Sequence, residues 1–213
     1  DEAAAKLVAK GWKVAAVAAD MSNAAEVESM AQFAVTTFGG IDILVNDAGI
    51  YPNVPVMQMS EKEFDKIIAI NLKGVFLATK AAAARMILQG RGGKIINITS
   101  IDAIHPSMVG LATYDASKHG VWGFTKNIAL ELAPHKIWVN AIAPGSVSTP
   151  GTGAGKMRAE DLEKVMKPFI DKIPMHRMGE PDDIGKVALF LASDLSSYMT
   201  GSQVVVDGGV LLA

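Results

Sequence analysis

The 213-residue chain has no cysteine, which excludes disulfides and thiolate-ligated zinc. It has no Lys/Arg-rich block, and its formal net charge is −2, which argues against a nucleic-acid-binding surface. Long apolar runs are missing too. The stretch Val14 to Ala19 falls well short of the about 20 residues that cross a bilayer, so no membrane partner is expected. There is no internal repeat, low-complexity tract or Ser/Pro linker. The chain opens on Asp1, Glu2 and three alanines, which is neither a translation start nor a signal peptide. It reads as beginning inside a longer protein.

What is present is a core. Half the residues are hydrophobic and 20% are charged, the balance of a soluble globular protein rather than a disordered one. The length suits one domain, or at most two small ones. Short apolar runs alternate with amphipathic ones. The runs Lys13 to Ala19, Ile41 to Val45, Lys94 to Thr99, Ile137 to Ile142 and Gln203 to Val206 read as strands. Helices are expected over Asp1 to Lys10, Ala24 to Phe38, Ser60 to Gln89, Thr113 to Leu132, Asp161 to Lys172 and Asp182 to Ser193. Ser60 with Glu63 three residues on is a capping box. Alternating strands and helices predict an α/β fold, a doubly wound parallel sheet with helices on both faces in three α/β/α layers. Ligands bind such sheets at the carboxyl ends of the strands. Those ends are Asp20, Asn46 to Gly49, Thr99-Ser100 and Ala143-Pro144-Gly145.

Asp20 reads either as a turn residue before the helix at Ala24 or as a carboxylate that accepts from a nucleobase amine. Asn46-Asp47-Ala48-Gly49 is a turn whose small residues let the backbone pass close to a flat ligand. Ser100 ends a strand, and Tyr114 with Lys118 four residues later share one helix face. An ammonium beside a phenol favours phenolate and lowers a pKa that starts near 10. A hydroxyl from Ser100 completes a group able to polarise a carbonyl and give it a proton. Asn71, inside the apolar run Ile67 to Leu72, reads either as a satisfied buried amide or as a kink that frees a carbonyl to hold a water. Gly151 to Lys156 resembles a phosphate loop, but Pro150 and Met157 break the register. His105, His119, His135 and His176 have no Asp or Glu at zinc-ligand spacing, so no metal is expected; His105 lies between Ser100 and Tyr114.

Asn46-x-Ala48-Gly49, Asn71, Ser100, Tyr114-x-x-x-Lys118, Pro144-Gly145 and the ending Thr200 to Gly209 together resemble the short-chain dehydrogenase/reductase family over essentially the whole chain. The resemblance implies a Rossmann-like fold and transfer of a hydride between NAD(P) and the CH–OH or C=O group of an alcohol or ketone. Tyr114 would give or take the proton, Ser100 would hold the substrate oxygen, Lys118 would bind the nicotinamide ribose and Asn71 would hold a water. Asp20 and Met21 would meet the adenine, and Asn46, Ala48 and Gly49 the adenosine ribose. Pro144, Gly145, Val147 and Thr149 would cradle the nicotinamide. A cytoplasmic homo-oligomer, a tetramer, is implied, paired through the helices Ser60 to Gln89 and Thr113 to Leu132. Those helices are rich in small or apolar residues on more than one face, as at Ala78, Ala81 to Ala84, Val121, Trp122 and Phe124.

The chain departs from the family pattern at three points. Asp47 stands where the second Asn of the turn is usual. The Ser100-to-Tyr114 interval is one residue longer than is common. The family's first strand, its Thr-Gly-x-x-x-Gly-x-Gly turn, the next helix and the second strand would precede Asp1, about 35–45 residues in a β-α-β unit. In the strand order 3-2-1-4-5-6, Lys13 to Ala19 would be the third strand and Ile41 to Val45 the fourth. Both would then expose unpaired backbone groups. Asp1 and Glu2, just past the second strand, would favour NAD over NADP. Ser146 to Lys172 is expected to form a lid, a glycine-rich hinge and then Leu162, Val165, Met166 and Phe169 on one face. Two other functions compete. Reduction of a 3-oxoacyl group on a carrier protein would need a basic patch, and only Lys156, Arg158, Lys164 and Lys167 offer one. A non-catalytic binding member of the fold would have no reason to keep Asn71, Ser100, Tyr114 and Lys118.

Overall fold

The computed structural model describes residues 2–149 and 167–213. Helix α1 spans Glu2–Val8 and α2 spans Ala24–Phe38. Strand β1 is Ile43–Asn46. Helix α3, Glu61–Ile68, runs through a π-helical turn at Ala69–Lys73 into α4, Gly74–Gln89. Strand β2 (Gly93–Ile98), helix α5 (Ala112–Leu132), strand β3 (Ile137–Pro144), helix α6 (Pro181–Ala192) and strand β4 (Gln203–Val206) follow.

Helix ends fall where side chains satisfy the orphan backbone groups. Asn23 accepts from the N–H groups of Ala25 and Glu26 to start α2, and Gly39 at φ 89° stops it. The Ser60–Glu63 capping box starts α3 as the sequence predicts. Pro181 opens α6 behind a Glu180–Asp183 box.

The four strands are all parallel and lie in the order β1-β2-β3-β4. Neighbouring residues of β2 point to opposite faces. Ile95 joins Ala82, Ala83 and Met86 of α4, Ala129 and Leu132 of α5, and Ile137 and Val139 of β3. Ile96 packs with Ile142 and with Leu191 of α6 on the other face. Helix α2 packs through Val27 and Ala31 against Ala78 and Ala81 of α4. Helices therefore cover both faces, as a parallel sheet requires.

The structure departs from the expected elements at Lys13 to Ala19, which forms no strand. An apolar run becomes a strand through ladder bonds to a neighbour; no described strand runs beside it, and its residues are mostly exposed, as are Ile43 and Val45 of β1. Of the helix expected over Asp161 to Lys172, residues 167–170 are helical and 161–166 lie outside the described residues. So does most of the expected lid, 150–166, with the phosphate-loop look-alike Gly151 to Lys156 and the cations Lys156, Arg158 and Lys164.

The surplus apolar surface expected on two helices is partly absorbed within the chain. Ala78, Ala81, Ala82 and Ala83 are buried in its own core, because α4 packs on the sheet and on α2 at once, and Val121 of α5 is buried too. The continuous helical run Glu61–Gln89 is long and apolar enough to span a membrane, with a mean hydropathy of 1.5 in its most apolar window. Half of that window is buried inside the fold, as befits a core helix.

Candidate active site

The carboxyl ends of β1, β2 and β3 meet the start of α5. Ser100 follows β2 and is the N-cap of a 3-10 turn over Ile101–Ala103. Its Oγ accepts from the Asp102 N–H at 3.1 Å and donates to Asp102 Oδ2 at 3.1 Å. Tyr114 lies on the first turn of α5, its phenol near enough to Ser100 for that hydroxyl to act on its pKa. One turn on, the buried Lys118 holds its Nζ 5.6 Å from the centre of the Tyr114 ring and donates to the Ile98 carbonyl at 2.8 Å. The sequence-predicted Ser100, Tyr114 and Lys118 are thus brought together.

Their electrostatics differ from the sequence expectation. Burial dominates both groups. It pushes the Tyr114 phenol up to about 12; the nearby Ser100 hydroxyl opposes this, and the charges of Asp102 and Asp115 add to it. Burial brings the Lys118 ammonium down to about 8, with the charge of Asp47 pulling the other way. Tyr114 is therefore a protonated phenol at neutral pH. The expected lowering of its pKa by Lys118 is not seen, because burial of the phenol outweighs the groups that favour phenolate.

Asn71 is a satisfied buried amide, the first of its two readings. It sits in the π-helical turn between α3 and α4, a local bulge in the helix. Its side chain is fully engaged: Oδ1 accepts from the Ile50 N–H at 2.8 Å, and Nδ2 donates to the Ile50 carbonyl at 2.8 Å and to Ser117 Oγ at 3.1 Å. Ser117 Oγ in turn donates to the Tyr114 carbonyl at 2.6 Å. Asn71 so ties the end of the Asn46–Gly49 turn to the helix that carries Tyr114. Gly49 is close by: a Cβ there would stand 3.4 Å from Asn71 Oδ1 and 3.8 Å from Lys118 Nζ.

A cleft of about 260 Å³ opens beside the end of β1, lined by Met21, Asn46, Asp47, Ala48, Ile70 and Gly74 among others. Its walls are mostly apolar. Asn46 lines it, yet donates its amide inward to Thr79 Oγ1 at 3.1 Å and Asn97 Oδ1 at 2.8 Å, tying β1 to β2 and α4. Asp20 behaves as the turn residue: its Oδ1 accepts from the N–H and the hydroxyl of Ser22 at 2.8 and 2.7 Å, and those bonds lower its pKa. Past β3, Gly145 donates its N–H to Val206 and packs so tightly on Asp207 that a Cβ would lie 2.8 Å from the Asp207 Cα. Val147 bridges Gly179, and the Ser148 N–H donates to the Gly179 carbonyl at 2.8 Å. Thr149, the last described residue before 150–166, follows on the same segment. His105 is exposed on the loop after the 3-10 turn, and no group of three His, Cys, Asp or Glu able to hold a metal occurs among the described residues.

Three residues at the site were not singled out by the sequence. Tyr51 meets the Tyr114 ring edge-on, with centroids 6.1 Å apart. Asp102 and Asp115 each keep a buried carboxylate oxygen without a partner. An acid between Ile101 and Ala103, and a second one directly after Tyr114, are the signals that could have found the carboxylates.

Strand ends that gather Ser, Tyr and Lys beside a flat apolar cleft define an oxidoreductase site on a doubly wound sheet. Residues 1–211 match the family described as Enoyl-(Acyl carrier protein) reductase. The chain is 37% identical over 212 residues to the uncharacterized oxidoreductase YohF of Escherichia coli, covering 100% of this chain and 81% of that protein. It is 40% identical over 206 residues to the 2-dehydro-3-deoxy-D-gluconate 5-dehydrogenase of Dickeya dadantii, covering 97% and 79%. It is 42% identical over 188 residues to the 3-oxoacyl-(acyl-carrier-protein) reductase FabG of Thermotoga maritima, covering 88% and 73%. Among solved structures, a short-chain type dehydrogenase/reductase from Mycobacterium marinum superposes with a TM-score of 0.90 at 36% identity, covering 99% and 80%. The acetoin dehydrogenase of Enterobacter cloacae gives 0.86 at 32%, covering 100% and 81%. The chain belongs to the short-chain dehydrogenase/reductase family. It is an oxidoreductase of alcohols and ketones that depends on a nicotinamide cofactor.

The described residues fit such a cofactor. The apolar cleft at Met21 and Asn46–Ala48 suits the face of an adenine, and Gly49 leaves open backbone beside Lys118.

Proposed function

We propose that Tyr114 is the proton donor and acceptor at the substrate oxygen and that Ser100 holds that oxygen. Lys118 meets the nicotinamide ribose, and Asn71 positions a water. Asp20, Met21, Asn46, Ala48 and Gly49 hold the adenosine half; Pro144, Gly145, Val147 and Thr149 flank the nicotinamide. When bound, the nicotinamide takes a hydride from the carbinol carbon or returns it to the carbonyl. In reduction Tyr114 Oη gives its proton to the carbonyl oxygen and is left as phenolate; in oxidation that phenolate takes the substrate O–H proton. The single observation that carries this reading is the gathering of Ser100 and Tyr114 with the Lys118 ammonium, one helical turn on and 5.6 Å from the Tyr114 ring centre. A phenol near 12 keeps its proton at neutral pH, so a carbonyl substrate meets Tyr114 in the donor form.

Residues 1–213 make up one domain of the family in this reading, acting in the cytoplasm as a homotetramer on a small alcohol or carbonyl substrate, with neither nucleic acid nor membrane as partner. NAD rather than NADP follows from the acidic start of the chain; Glu2 opens α1 and pairs with Lys6 at 2.7 Å, while Asp1 lies outside the described residues. A second reading, reduction of a 3-oxoacyl group on a carrier protein, is favoured by the identity to FabG. Turnover of small alcohols, ketones and a 3-oxoacyl thioester with NAD and with NADP tests all of this. Oxidation or reduction of the small substrates is expected, with a higher kcat/KM for NAD. Activity confined to the thioester would favour the second reading.

A further inference from the structure

A second cleft, of about 510 Å³, adjoins the first along the chain: Ala48 lines the first and Gly49 the second. Its walls are mostly apolar and include Ile50, Tyr51, Pro52 and Ile67. Two charged residues line it as well, Glu63 and Lys66, both exposed. Glu63 accepts from the N–H and the hydroxyl of Ser60 in the capping box, and the charge of Lys66 acts on Asp20. Tyr51 belongs to two places at once. It lines this cleft, and its ring meets the Tyr114 ring edge-on with centroids 6.1 Å apart. It is 49% exposed, and the proton transfer uses none of its atoms.

The apolar character continues on the loops around it. The segment that begins at Tyr51 is tied to the loop that follows Ser100: Asn53 Nδ2 donates to the Val109 carbonyl at 3.0 Å, and the Val54 N–H donates to the Gly110 carbonyl at 2.9 Å. Gly110 has φ 93°, and a Cβ there would collide with Asn53, so the two loops close directly on each other. Met57 on the first loop and Ile104, Met108 and Val109 on the second are all exposed. Single exposed apolar residues need no explanation, but a set of them on two loops stitched together, beside an apolar cleft, marks a binding surface. A half-bare aromatic ring next to the reacting phenol is surface for a substrate to cover.

We propose, building on the alcohol and carbonyl reading above, that Tyr51 is a specificity-determining residue and that its ring and the cleft it lines take a bulky apolar substituent of the substrate, an aryl group or an alkyl chain. A substrate whose oxygen reaches Tyr114 has the Tyr51 ring as its neighbour, and the cleft continues from that ring. The substrate class is a secondary alcohol or ketone that carries such a substituent. The cleft has the volume of pockets that enclose drug-sized ligands, far more than butanone fills. A polyhydroxylated substrate of the same size would set its hydroxyls against Ile50, Pro52 and Ile67, which offer side chains with no donor or acceptor. Tyr51 acts through the face of its ring rather than through its hydroxyl.

The test compares reduction of butan-2-one, nonan-2-one, 4-phenylbutan-2-one and 1,3,4-trihydroxybutan-2-one, with NADH and with NADPH, by the wild type, Tyr51→Phe and Tyr51→Ala. In the wild type at least one of the two bulky apolar ketones should exceed butan-2-one in kcat/KM by about 10² or more, since each added apolar group is felt in a hydrophobic pocket. The better of the two identifies the substituent as aryl or alkyl. The trihydroxy ketone should gain nothing over butan-2-one. Tyr51→Phe should keep the apolar preference, and Tyr51→Ala should lower it by about tenfold, mainly through KM. A merely structural role for Tyr51 would shift all four ketones alike and leave the ratios standing. Equal kcat/KM for butan-2-one and both apolar ketones in the wild type overturns the proposal. So does a preference for the trihydroxy ketone, and so does an apolar preference that survives Tyr51→Ala undiminished. Failure to turn over any of the four overturns the functional reading itself. Should Tyr51→Ala not fold, the wild-type series carries the test.

Discussion

Lys118 stands over the Tyr114 ring, its Nζ 5.6 Å from the centroid, yet spends its hydrogen bond on the Ile98 carbonyl 2.8 Å away. The ammonium is thus anchored to the end of β2 rather than to the phenol. Burial brings it down to about 8 while the phenol goes up to about 12. The two groups lose their protons in the reverse of their ordinary separation from neutrality: the lysine titrates first, close to physiological pH.

That order sets a pH profile. Tyr114 keeps the proton it donates throughout the neutral range, and Lys118 loses its charge near 8. The kcat/KM for carbonyl reduction should be flat below pH 7 and fall above about 8, since this parameter reports the free enzyme. Initial rates between pH 6 and pH 10 check it; a profile flat through pH 9.5 counts against the lysine assignment.

Tyr114→Phe keeps the ring and its edge contact with Tyr51 but removes the transferable proton. Activity should fall by about 10² or more, the scale of general acid–base catalysis. Circular dichroism should be unchanged. Near-wild-type turnover would remove Tyr114 from the mechanism.

Lys118 also has a signature in stability. Its pKa is about 8 in the fold, below the ordinary 10.5, so the fold penalises the charged form. The penalty is absent above the unfolded value, grows as pH falls from there to 8, and is complete below 8, at roughly 3 kcal/mol. Lys118→Met should be inactive, and its stability relative to wild type should improve by about that amount between pH 10.5 and pH 7. Urea melts at both pH values read the difference, with the lost contact to Ile98 cancelling between them. A pH-independent difference would contradict the buried charge.

Gly145 and Gly123 make a matched pair. A Cβ at Gly145 would stand 2.8 Å from the Asp207 Cα, and Asp207 is itself fixed by accepting from the N–H groups of Gly209 and Leu211. A Cβ at Gly123, inside α5, meets nothing within 4 Å. Gly145→Ala should cost about 1–3 kcal/mol by overpacking, and Gly123→Ala should gain about 0.5–1 kcal/mol by helix propensity. Thermal unfolding of the two variants gives the signs.

How much of this the sequence carried depends on the range of the interactions involved. The capping box at Ser60, the stop at Gly39 and the strand of Ile137 are local, and the residues announce them. The approach of Ser100 to Tyr114 was legible through motif spacing. Lys13 to Ala19 was misread because apolarity marks a strand only where a neighbour supplies ladder bonds, and that is a property of the assembly. The pKa of Tyr114 was misread for the same reason. Sequence shows that Lys118 is one turn away, but not how deeply the phenol is buried or that the charges of Asp102 and Asp115 reach it.

The outer face of the helical layer supplies the last prediction. The core of the chain consumes Ala78, Ala81–Ala83 and Val121, but not the aromatics beside them. Phe76 of α4 is 44% exposed and meets Phe124 of α5 edge-to-face at 6.4 Å. Phe64 of α3, Leu88 of α4 and Leu130 of α5 are exposed too. Scattered apolar residues need no partner, whereas an aromatic pair bridging two helices forms a connected patch of the kind that marks an interface. A two-fold contact would set this patch against its own copy, so one charge placed on it enters the interface twice. Phe76→Glu should therefore dissociate the oligomer while the helix, whose buried face is untouched, stays folded. Light scattering at micromolar concentration should give a wild-type mass of four times 22.4 kDa and a smaller species for Phe76→Glu, with matching circular dichroism. A monomeric wild type would refute the oligomer, and an undiminished assembly of Phe76→Glu would move the interface elsewhere.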